Sequence, residues 1–70
     1  MSEQDIIDVL SNLDRPAMSA IEINDALGFT TVEDYKDLEQ MLEVMVSKGI
    51  LYYSEKKKRY LLLKKISDLN

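Results

Sequence analysis

The hydrophobic pattern of this chain changes period at Gly49. Before it, apolar residues recur three or four apart. Beyond it they fall into two short blocks, "ILYYS" (Ile50–Ser54) and "RYLLL" (Arg59–Leu63), separated by the charged run "EKKK". Blocks this short, rich in aromatic and aliphatic residues and parted by a polar loop, read as a β-hairpin rather than a helix. The hairpin has a four-residue basic tip. Simple pairing puts Leu51, Tyr53, Tyr60 and Leu62 on one face and Ile50, Tyr52, Leu61 and Leu63 on the other. Both faces are apolar, whereas a small domain buries only one well. The second is therefore available to a neighbouring domain.

The part before Gly49 reads as three helices. Ile6, Val9, Leu10 and Leu13 follow the i, i+3, i+4, i+7 rule of an amphipathic helix. Asp5 lies near its start, where a negative charge suits the helix dipole. The helix is expected to end at "DRP" (Asp14–Pro16), because the residue before a proline is pushed out of helical geometry. Ala17 and Met18 fit a short extended link. Ser19 is a good N-cap for a second helix, and Glu22 completes a capping box. Ala20, Ile23, Ala26 and Leu27 are expected to face inward, and Gly28 to close the helix in the left-handed conformation. A third helix starts from Thr30 with Glu33 or from Thr31 with Asp34. Its apolar stripe is Tyr35, Leu38, Leu42 and Met45, widened by Met41 and Val46, and Gly49 ends it.

Three helices followed by a hairpin describe a mainly α domain of the winged helix-turn-helix kind, with the hairpin as the wing. The turn between the second and third helices contains a glycine, as that motif requires. Seventy residues suffice for one such domain and no more. Residues 1–65 are expected to form it, with 66–70 starting a linker to a following domain. There is no cysteine and no histidine. The fold therefore has no disulfide brace, which fits a reducing, cytoplasmic setting. The usual zinc ligands and the commonest base and nucleophile residues are also missing. No glycine-rich phosphate loop occurs. The N-terminus does not resemble a secretory signal, and no apolar run is long enough to span a bilayer. A catalytic site, a bound cofactor and a membrane partner are accordingly not expected.

Charge is distributed unevenly. The formal net charge is -4. Residues 1–47 hold two basic and eleven acidic residues, whereas residues 48–70 hold seven basic and two acidic. The positive charge thus gathers on the wing and on the residues C-terminal to it.

The stretches "RPAMSAIEINDALGF", "EDYKDLEQMLEVMVSKGIL" and "KKKRYLLLKKISDLN" resemble the N-terminal winged-helix domain of bacterial ribonuclease R, a processive 3′→5′ exoribonuclease of the RNB family. Shared features are the entry to helix two, its "ALG" end, the acidic start of helix three, the "KGI" corner and the "RY" pair of the wing's return strand. Leu61 stands where that family often has glycine. The resemblance implies a non-catalytic, RNA-binding accessory domain, since the magnesium-holding aspartates of those enzymes lie in a separate catalytic domain. It also implies that the remaining domains of the parent nuclease are partners, and that the isolated domain is monomeric.

On this reading Lys56, Lys57, Lys58 and Arg59 contact phosphates, supported by Lys64, Lys65 and Lys48. Phosphate contacts confer affinity without sequence information. Tyr53 and Tyr60, or Tyr52, would stack on bases. The competing structural roles are protection of a sheet edge for the lysines and core packing for the tyrosines. Two alternatives remain open. A DNA-binding regulator would lay helix three in the major groove. However, its outward residues Glu33, Lys36, Gln40, Glu43 and Ser47, flanked by Asp37 and Glu39, make a net negative surface. A protein-interaction module would use the acidic helical body or the second wing face.

Overall fold

The computed structural model describes residues 1–12 and 17–63. The element order is α1 (Glu3–Asn12), β1 (Ala17–Met18), α2 (Ala20–Leu27), α3 (Val32–Ser47), β2 (Leu51–Ser54) and β3 (Arg59–Leu62). The result is a mainly helical domain with a small antiparallel sheet, compatible with a winged-helix layout. The expected end of α1 at Asp14–Pro16, the inward placing of Leu13, residues Lys64 and Lys65, and the boundary at 65/66 all lie outside the described residues. Among the described residues no helix is long and apolar enough to cross a membrane.

The helices begin and end where polar caps and glycines dictate. In α1, the Ser2 backbone N–H donates to Asp5 Oδ2 at 2.9 Å, so Asp5 serves the first turn as well as the dipole. The capping box of α2 is complete: the Glu22 N–H donates to Ser19 Oγ at 3.2 Å and the Ser19 N–H to Glu22 Oε1 at 3.0 Å. Gly28 follows at φ 78°. Of the two caps available to α3, the chain uses Thr31, whose hydroxyl accepts from the Asp34 N–H at 3.1 Å. At the other end Gly49 has φ 79°, its N–H donates to the Val46 carbonyl, and the Ile50 N–H donates to that of Met45. This paired closure is a Schellman motif.

The core is Ile6, Leu10, Met18, Ile23, Leu38, Leu42, Met45 and Leu51. Every element except β3 contributes a buried side chain to it. β3 adds Tyr60 and Leu62, which pack against the cluster. Burying a side chain of this size stabilises the fold by about 1.5–3 kcal/mol. Ala26, expected to face inward, is exposed. The inward arc of α2 runs through Ala20, Ile23 and Leu27, and leaves the single methyl of Ala26 in solvent.

Two further expectations are corrected. Ala17 and Met18 do not merely link two helices but form a strand, so the hairpin is part of a three-stranded sheet in the order β1-β3-β2. The register pairs Ala17 with Leu61 and Met18 with Tyr60 on one side of β3. On the other it pairs Leu51 with Leu62, Tyr52 with Leu61, Tyr53 with Tyr60 and Ser54 with Arg59. The expected grouping of Leu51, Tyr53, Tyr60 and Leu62 on one face therefore holds, and Met18 joins it. Ile50 does not belong to the opposite face. It precedes β2 and packs against the core, as the residue after a Schellman glycine commonly does through contact with the last helical turn.

Candidate nucleic-acid interface

The hairpin tip is the turn Glu55–Lys58, held from below by Ser54. The Ser54 carbonyl accepts from the Lys58 N–H at 2.7 Å and its hydroxyl from the Lys57 N–H at 3.3 Å. Lys58 closes the turn at φ 59°, a left-handed conformation that side chains other than Gly and Asn adopt uncommonly. Lys56, Lys57 and Lys58 are all exposed, and none has a carboxylate within ion-pair distance among the described residues.

Arg59 is placed differently. Its Nη1 donates to Glu22 Oε1 at 2.8 Å and lies 3.4 Å from the Ala17 carbonyl oxygen. Its guanidinium therefore ties the base of the hairpin to the start of α2. Lys48 is likewise engaged, with Nζ 2.7 Å from Glu3 Oε2, joining the end of α3 to the start of α1. Of the basic residues singled out from the sequence, the tip lysines have no ion-pair partner among the described residues, Arg59 and Lys48 pair with carboxylates, and Lys64 and Lys65 lie outside the described residues.

The tyrosines also divide. Tyr52 shares the outer sheet face with Ala17 and Leu61 and is 55% exposed. Together with Ser54, Lys57 and Arg59 these residues line a shallow depression of about 330 Å³. Tyr53 and Tyr60 lie on the inner face, where their ring centroids are 4.7 Å apart and the planes are tilted by 44°. They front α3 and are half-buried. Burial pushes the Tyr60 phenol above its ordinary value of 10.0, with Tyr53, Glu39, Glu43 and Tyr35 adding to the effect. Burial also raises Tyr35, followed by the charge of Glu39 and a hydrogen bond to it. Lys57 lines the outer depression with Tyr52, whereas Lys58 lines the inner side with Tyr53 and Tyr60; of the three rings only that of Tyr52 is exposed. Strand alternation separates the two sets in the sequence, but which face meets α3 depends on how the sheet docks.

The exposed side of α3 carries Glu33, Lys36, Asp37, Glu39, Gln40, Glu43 and Ser47. Five of these bear charge, four of them negative, so phosphate is repelled there. Among the described residues no group of three or more potential metal ligands comes together. Comparison of the chain with protein-family models, curated proteins and solved structures finds no match.

Proposed function

We propose that this chain is a winged helix-turn-helix module that grips RNA through the tip and outer face of its wing, and that it serves as a non-catalytic accessory to an exoribonuclease of the ribonuclease R kind. The observation carrying the reading is the contrast between the wing and α3. Lys56, Lys57 and Lys58 are exposed with no carboxylate at ion-pair distance among the described residues, and Lys57 lies beside the exposed ring of Tyr52, whereas the helix that would enter a DNA groove is acidic. Backbone contacts from flexible lysines and stacking on a tyrosine suit a ligand of varied sequence. The likeness of the helix punctuation and of the "KKKRY" wing to the ribonuclease R domain favours RNA and a nuclease as the setting.

Fluorescence anisotropy with a labelled single-stranded RNA tests this. Binding is expected at about 10⁻⁴–10⁻⁶ M near physiological salt. With Arg59 committed to Glu22, three lysine–phosphate contacts give a log–log salt slope of about -2, from about -0.7 per contact. Replacing Lys56, Lys57 and Lys58 with glutamate abolishes binding, and Tyr52→Ala weakens it. Replacing Gln40, Glu43 and Ser47 with alanine leaves it unchanged. Loss of binding in the α3 variant with retention in the wing variant would overturn the reading.

A further inference from the structure

The inner face of the wing does not share the chemistry of the outer face. Between it and α3 runs a trough whose wall is the Tyr53–Tyr60 pair. One end, about 240 Å³, is lined in addition by Tyr35, Glu39 and Lys58. The other, about 320 Å³, is lined by Glu43 and Val46. These volumes lie close to the lower limit of about 300 Å³ for pockets that take drug-sized ligands and suit single side chains. Glu39 and Glu43 stand one helical turn apart, both exposed. Neither has a cationic partner among the described residues.

We propose that this trough takes arginine or lysine side chains from a basic segment of a partner protein. The faces of tyrosine rings carry the negative part of the ring quadrupole and attract cations. Carboxylates at the same place add charge complementarity and, for arginine, paired hydrogen bonds. Burial holds the Tyr35 and Tyr60 phenols above their ordinary value, so these two rings stay uncharged. A phosphate chain entering here would meet Glu39 and Glu43 instead. The wing then has two sides of opposite preference: a polyanion outside, a polycation inside. Lys58, which reaches the trough from the tip, opposes the second ligand while assisting the first.

That opposition gives a test independent of the RNA reading. A labelled, blocked nonapeptide of alternating arginine and glycine is titrated into the whole chain, with the tyrosine ring signals followed by NMR. Signals of Tyr35, Tyr53 and Tyr60 are expected to shift and those of Tyr52 to stay. Glu39→Gln with Glu43→Gln, both at exposed helix positions, should weaken the peptide about tenfold. Lys58→Ala should tighten it about twofold. The proposal is overturned if the peptide does not bind at millimolar concentration. It also fails if its affinity is indifferent to the double Gln variant, if the shifts spread over the carboxylates of α1 and α2, or if RNA rather than peptide moves the trough tyrosines. Failure of RNA to bind the wing leaves these outcomes unchanged and counts only against the earlier reading.

Discussion

Glu22 joins two parts of the molecule through one oxygen atom. Its Oε1 accepts both from the Ser19 N–H that closes the capping box and from Arg59 Nη1 at the root of the hairpin. Two substitutions separate these roles. Glu22→Gln keeps a carbonyl for Ser19, because glutamine also serves in a capping box. It removes the charge that faces Arg59 and the start of α2. The Arg59 and Glu22 side chains are 36% and 29% exposed, so solvent screens the pair and its share is about 0.5–1 kcal/mol. The lost dipole interaction adds about 0.3 kcal/mol or somewhat more. Glu22→Ala also leaves the cap half made, at a further cost of about 1 kcal/mol. For a domain of this size 1 kcal/mol shifts Tm by roughly 4–8 °C. Urea unfolding followed by far-UV circular dichroism, at constant slope, measures both. A double-mutant cycle with Arg59→Met isolates the pair, with an expected coupling of about 0.5–1 kcal/mol that shrinks in about 1 M salt. A coupling below about 0.2 kcal/mol, or a glutamine variant as unstable as the alanine one, would refute the assignment.

Two further outcomes concern the core and the tyrosines. Leu42 is fully covered at the centre of the α3 stripe, and Leu42→Ala should cost about 2–5 kcal/mol; an unchanged urea midpoint would mean the stripe does not face the core. Tyr60 has a folded-state pKa raised above 10.0, so between the unfolded and folded values the native state binds more protons. Stability is therefore fully present below about pH 10 and falls as pH rises through the folded pKa. Tyr60→Phe should flatten that alkaline decline in a pH series of urea melts, and an equally steep decline would place the titration elsewhere.

Local signals carry most of the fold. Ser19, Thr31, Gly28 and Gly49 act within three or four residues of themselves, and each marks in the structure the helix end that its sequence context predicts. The hairpin register is equally legible, because alternation and a four-residue tip permit few pairings. Contacts between distant segments are not. Met18 sits in a strand of two residues, too short to announce itself, and is paired only because Tyr60 returns beside it. The Arg59–Glu22 contact spans 37 positions and has no local pattern. Without it, Arg59 is indistinguishable from the lysines before it. The same limit applies to the candidate site: the basic tip can be read directly, but the choice of Tyr52 over Tyr53 and Tyr60 requires knowing which side of the sheet α3 covers.

The strand order β1-β3-β2 has a consequence for assembly. β3 is the middle strand, yet it comes last among the described elements, and β1 is among the first. A chain emerging from a ribosome can form α1, α2 and α3 from local contacts, but Met18 has no neighbour to bond until Tyr60 and Leu61 have appeared more than forty residues later. Closing so long a loop costs entropy that only the finished sheet returns. The strand β3 thus acts as a keystone. Any nascent chain or proteolytic fragment that stops short of it leaves both β1 and β2 as bare edges, open to pairing with another copy.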